Sequence, residues 1–192
     1  MATPFVATAN PATVVNQSLS GNVWSNPVFA AGPADAAYAS CVVNQAVNQN
    51  SDQLHGTALA FSIPSNATIT GYGAGCACSG FDAAASGTFS ASFSIAGVPI
   101  GQSSSSSTNA NNPPAGFGSF FVGDSGNLFG LSYTADQINA GALSVDCYLG
   151  MANANGFARS FFVESLSVNV YYTLPAPPPL VSVKQSFFVF MF

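Results

Sequence analysis

The chain has 192 residues, of which two are Lys or Arg and seven are Asp or Glu, giving a net charge of −5 and a charged fraction of 5%. That balance excludes a nucleic-acid interface, which needs a basic footprint to displace counterions, and a coiled coil or exposed helix bundle, whose surfaces need Glu and Lys. A hydrophobic fraction of 48%, with 17 Phe and 6 Tyr, excludes a disordered chain. The length suits one domain with a sizeable core. With so few charges, the surface must be solvated by Ser, Thr, Asn, Gln and backbone, which suits a subunit held in a large assembly.

The start of the chain has neither the basic stretch nor the long apolar run of a secretory signal. No run approaches the ~20 apolar residues of a membrane-spanning helix, so no transmembrane segment is expected. The dominant pattern is β: short alternating runs of Thr, Val, Phe, Tyr and Ile, broken by Gly, Asn, Pro and Ser. Residues 1–20 read as an N-terminal arm with a strand at 12–16. The patterned region opens at Asn22 with Trp24 and Pro27, and strands are expected at 36–44 and 54–63. Pro64 and Asn66 mark a turn. The run 68–78 follows, with Ile69, Gly71, Gly73 and Gly75 on one face and Thr70, Tyr72, Cys76 and Cys78 on the other. So many glycines in a strand predict a bulge or the close approach of a neighbour.

The run 88–95 alternates Phe89, Ala91, Phe93 and Ile95 against Thr and Ser, as a half-buried antiparallel strand does, and 98–100 reads as a short returning arm. The serine-rich 102–114 reads as a surface loop. Strands are expected at 116–122, 128–132, 143–149 and 161–173, and Thr134 caps one helical turn at 134–139. In 161–173, the odd-numbered residues from Phe161 to Tyr171 are expected on one face. The fold class is therefore all-β, an antiparallel β-sandwich or jelly roll with extended terminal arms. The sandwich occupies 21–173, and its expected core includes Trp24, Tyr38, Phe61, Ile63, Ile69, Phe89, Phe93, Val168, Val170 and Tyr172.

A proline-rich stretch, 174–179, reads as a stiff spacer, and 180–192 as an apolar docking tail. Phe187, Phe188, Val189, Phe190, Met191 and Phe192 have few polar neighbours and would aggregate if left exposed. The spacer holds them away from the last strand, so they are expected to bury themselves against another subunit by strand addition or pocket insertion; the alternatives are folding back onto the sandwich and a lipid contact.

Chemistry-bearing groups are sparse. A nucleophile needs a base beside it, and the single His55 lies inside a strand. The acids are scattered; Asp35, Asp124 and Asp136 stand in turns, where carboxylates cap backbone amides. The cysteines, Cys41, Cys76, Cys78 and Cys147, read first as buried reduced thiols. A disulfide joining Cys76 or Cys78 to Cys147 is the alternative, and a metal site is weakly supported because the ligand set holds one His and no CxxC pair. No cofactor is expected.

Five segments, taken in order, resemble one recurrent domain. They are Trp24 to Pro27, Asp35 to Ala39, Phe61 to Gly71, Leu128 to Asn139 and Val168 to Thr173. The order is similar to a β-sandwich domain of tailed-phage virion proteins and covers 21–173. The chain departs from that pattern at Phe129, where the family carries Trp before Gly, and over 159–164, which replaces an Ala-x-Val-Asp segment. The resemblance implies a non-enzymatic structural protein of a bacteriophage virion: a head decoration, fibre or tail component. Its partners would be copies of itself and other virion proteins; a homo-oligomer is the expectation from the nearly uncharged surface. The alternative is a virion module that binds host surface glycan or protein; a groove of clustered Trp or Tyr with Asp or Asn would favour it.

Overall fold

A computed structural model describes residues 4–18, 21–43, 49–79, 85–95, 98–99, 104–108, 118–153 and 159–177. In chain order these form β1 (Phe5–Ala9), β2 (Thr13–Gln17), β3 (Trp24–Ser25), a 3₁₀ turn (Pro27–Ala30), β4 (Ala39–Val43), β5 (Gln49–Asn50) and β6 (Gln53–Thr57). There follow β7 (Thr68–Ser79), β8 (Ala85–Ile95), β9 (Val98–Pro99), β10 (Ser104–Thr108), β11 (Gly118–Gly123), α1 (Ala135–Asn139), β12 (Leu143–Asn153) and β13 (Arg159–Thr173). The first sheet runs β11-β7-β13-β4-β3, with β1 also on β13; the second runs β10-β8-β12-β6-β2, with β5 on β12 and β9 on β8.

The strand order is that of a jelly roll. Take β4, β6, β7, β8, β10, β11, β12 and β13 as the frame. The first pairs with the last, the second with the last but one, and so on inward: β4 with β13, β6 with β12, β7 with β11 and β8 with β10, all antiparallel. A long antiparallel ribbon rolled on itself gives this pattern, and its two layers bury their facing sides against each other.

The core follows the alternation of the strands. On β7, Tyr72, Ala74, Cys76 and Cys78 are buried; on β12, Leu143, Val145 and Cys147 face them from the other sheet. Trp24, Phe61, Ile63, Val168 and Val170 lie in this core, while Ile69 and Tyr172 are partly buried at its margin. Phe89 and Phe93 sit on β8 by register, opposite Leu149 and Val145, and their side chains lie outside the described residues. Tyr38 is not a core residue. It is exposed just before β4 and stands edge-on to Phe162, with ring centroids 5.6 Å apart.

Several expected elements take a different form. The N-terminal segment does not stand off as an arm: β1 pairs with the second half of β13, and β2 extends the other sheet along β6. The run 54–63 pairs only as far as Thr57, because Ala58 turns the chain through a left-handed conformation with φ 55°. Leu59, Phe61 and Ile63 still alternate inward without a ladder, and the Asn139 side chain replaces the missing neighbour. Its Oδ1 accepts the Ile63 N–H at 2.9 Å and its Nδ2 donates to the Ile63 carbonyl at 2.7 Å. The serine-rich run expected to be a loop contains β10, a strand whose side chains give no apolar alternation to read. The run 128–132 is a turn, since Phe129 and Gly130 both have positive φ and the Leu131 N–H donates to the Leu128 carbonyl. In β13 a bulge at Glu164 switches the buried parity from Phe161 and Val163 to Leu166, Val168 and Val170. The expected single face through Tyr171 is therefore broken.

Candidate functional site

Among the described residues, a histidine and a carboxylate pair across the second sheet. His55 on β6 is the register partner of Asp146 on β12, and His55 Nδ1 lies 2.6 Å from Asp146 Oδ1. Along the same row, Val15 is opposite His55, and Ser92 is opposite Asp146. By register the Asp146 position lies between those of His55 and Ser92.

All four cysteines are buried free thiols, so the bridge considered for Cys76 or Cys78 with Cys147 is not formed. Cys76 and Cys147 face each other's sheet around a crevice with no room for a water, shared with Trp24, Leu54, Tyr148, Val163 and Leu166. Burial, then the hydrogen bond and charge of Cys78, push the Cys76 thiol well up. Burial, then Asp146, push Cys147 up, and burial, then Asp52, push Cys41 up to about 12. Thiols held protonated in this way act as small apolar groups. Among the described residues, no three His, Cys, Asp or Glu side chains converge as a metal site.

A second polar group is structural and was not read from the sequence. Asp52 is fully buried; it accepts the Gly21 N–H at 2.9 Å and the Asn16 amide at 3.0 Å. Its own carbonyl accepts Trp24 Nε1 at 2.8 Å, and Asn16 Oδ1 accepts the Trp24 N–H at 2.9 Å. A side chain at Gly21 would place a Cβ 2.6 Å from the Asp52 nitrogen. The cluster ties β2 of one sheet to β3 of the other and closes that side of the sandwich.

Apolar surface is exposed mainly in the N-terminal part of the chain. Among the described residues, the exposed large hydrophobics are Phe5, Val6, Val15, Val23, Val28, Phe29, Tyr38, Val42, Phe121, Leu128 and Leu174. All but the last three precede residue 43: Val15 lies on the edge strand β2, Val23 just before the edge strand β3, and Val28 and Phe29 in the 3₁₀ turn, while Phe5 and Val6 lie on β1 opposite Tyr172 and Tyr171. Val23 is the extreme case at 65% exposure. The tail residues Phe187, Phe188, Val189, Phe190, Met191 and Phe192 lie outside the described residues.

The outer face of the first sheet has a different chemistry. Gly73 and Gly75 on β7 turn outward between β11 and β13, opposite Asn169 and Ser167. The Phe121 ring of β11 rests on this bare backbone: a Cβ at Gly73 would meet its Cε1 at 2.8 Å, and one at Gly75 its Cδ2 at 3.0 Å. The ring remains 40% exposed. Across the glycines, β13 presents Tyr171, Asn169 and Ser167, and the Thr8 hydroxyl donates to Asn169 Oδ1 at 2.8 Å. At one end, the Asp124 and Ser125 backbone crosses over Gly71 as a wall.

No family model and no curated protein sequence matches the chain. Two solved structures are similar to it. One is TmCBM61 in complex with β-1,4-galactotriose, with a TM-score of 0.39 and 10% identity, covering 86% of each chain. The other is the enzymatically active domain of bacteriophage CBA120 tailspike protein 4, with a TM-score of 0.38 and 8% identity. It covers 88% of this chain but 19% of the tailspike chain, so this protein spans about a fifth of that length. Similarity at this level carries no functional information. Among the described residues, no helix is long and apolar enough to cross a membrane.

Proposed function

We propose that the protein is a non-enzymatic structural component of a bacteriophage virion, a head decoration, fibre or tail subunit, acting through protein–protein interfaces. The observation that carries this reading is the set of apolar side chains exposed at and beside the edge strands β2 and β3, Val15, Val23, Val28 and Phe29, in a chain with 5% charge. Such a surface gains little from staying free in water, and its apolar side chains gain about 25 cal/mol for each Å² that a neighbour covers. The sequence resemblance to tailed-phage virion domains, and the use of jelly rolls in viral capsids, point the same way. The partners are further copies of the chain and other virion proteins, and the C-terminal tail is a docking segment. Imaging native particles with labelled protein tests this: density on the shell, tail or fibre is expected, and protein confined to the lysate supernatant overturns it.

A second reading has its own observation. Phe121, Tyr171 and Asn169 gather an exposed ring, a phenol and an amide on one face, the combination that favours a virion module binding host surface glycan.

A further inference from the structure

We infer that the outer face of the first sheet, floored by Gly73 and Gly75, binds a neutral oligosaccharide; this rests on the second reading above. The choice of glycine is the first reason. Glycine weakens a strand interior, where Val or Thr would pack better. Here it lets the Phe121 ring lie down on the backbone along β7, in contact distance of both glycine positions. An aromatic ring can cover sheet glycines for stability alone, but a purely covering ring is buried, and this one presents much of its surface to solvent. A sugar ring has an apolar C–H face that stacks on such a surface.

The second reason is the polar row beside the ring. Tyr171, Asn169 and Ser167 alternate outward on β13, roughly 7 Å apart and spanning ~14 Å, the length of a short oligosaccharide. The Thr8 hydroxyl holds Asn169 by its Oδ1, so this polar side chain is fixed beside β1. Sugar hydroxyls both donate and accept, so a phenol, an amide and a serine hydroxyl on one line suit them.

The third reason is charge. Asp124 stands in the wall at one end of this row, and Glu164 in the bulge at the other. Both are acidic, and the whole chain holds seven acids against two Lys or Arg. An anionic polysaccharide would meet these carboxylates, so a neutral ligand fits better than an acidic one.

The test is binding of the full-length protein to a printed panel of neutral and acidic oligosaccharides, with affinities of retained glycans measured by calorimetry. Wild type is expected to retain neutral glycans. Phe121→Leu, which keeps the glycines covered but removes the ring, is expected to lose about tenfold or more in affinity, and Asn169→Ala severalfold, with unchanged melting temperatures. Val23→Asp, on the apolar edge, is expected to bind as wild type does. No retention of any neutral glycan, retention of acidic glycans alone, or wild-type affinity in both face variants overturns the inference. Incorporation of Phe121→Leu into particles reports on the assembly reading separately: that reading stands if the variant is incorporated, whether or not it binds sugar.

Discussion

At the residue scale, the decisive side chains are polar ones the core cannot do without. Asp52 is buried and accepts a backbone amide N–H and an asparagine amide. Asp52→Ala leaves two donors unpaired, and hydrogen bonds to a charged group contribute about 1.5–3 kcal/mol each. A loss of at least about 2 kcal/mol in chemical denaturation is expected, and a smaller one would show that the clasp is dispensable. The thiols make a different prediction. An ordinary thiol titrates near 9.0, whereas Cys41 is held up to about 12. Above pH 9 the unfolded chain sheds protons that the folded chain keeps, so fewer are bound unfolded than folded, and stability falls as pH rises. Melting temperature should decline from about pH 9 upward, less steeply in Cys41→Ser. A thiol reagent at neutral pH should find no reactive cysteine until the protein is unfolded, when all four react.

At the element scale, α1 shows how a short helix is fixed by its ends. Thr134 Oγ1 accepts the Gln137 N–H at 3.3 Å, and Gln137 Oε1 accepts the Thr134 N–H at 3.0 Å, a reciprocal box around a helix of five residues. The helix buries Ala135 and Ile138, and Asn139 clamps Ile63. Thr134→Ala should cost about 1 kcal/mol and lower the melting temperature by ~2–4 °C for a chain of this size. No change would mean that the clamp alone holds the helix. Strand β7 depends on its glycines in the same local way. At Gly71 any Cβ runs into the Asp124 backbone, so Gly71→Ala should destabilise the fold even though alanine is a modest change.

At the scale of the whole molecule, two surfaces divide the labour. The β2/β3 edge carries apolar side chains, and the outer face of the first sheet carries a ring and a polar row. Charge reversal is unavailable to a surface this poor in charge, so stability should change little from low salt to about 1 M sodium chloride, because screening has few ion pairs to weaken. The apolar edge makes a sharper prediction. Val23→Asp with Phe29→Asp should leave folding intact, since both side chains are exposed, and should reduce self-association in light scattering and incorporation into particles. Deleting 180–192 should also reduce incorporation, and undiminished incorporation would remove the tail from the docking mechanism.

Sequence alone determined the class. Period-two alternation, the scarcity of charge and the turn residues sufficed for an antiparallel sandwich, because inward and outward positions on a strand differ by one residue and burial imprints that contrast directly. The cap at Thr134, the turn after Pro64 and the crowding at the β7 glycines were legible for the same reason: each is a local rule written in adjacent residues. What the tertiary structure alone decided is everything that depends on partners far along the chain. Alternation placed Leu59, Phe61 and Ile63 inward but could not show that Ala58 ends their ladder or that Asn139 replaces it. Serines hid β10 because they carry no hydrophobic contrast, and one inserted residue at Glu164 switched the faces of β13. The candidate binding face was least legible of all. Thr8, Phe121 and Asn169 are separated by more than a hundred residues at the extremes, and each reads as an ordinary strand residue. Only the rolling of the ribbon, which sets β1 and β7 on either side of β13 and β11 beside β7, brings them to one surface.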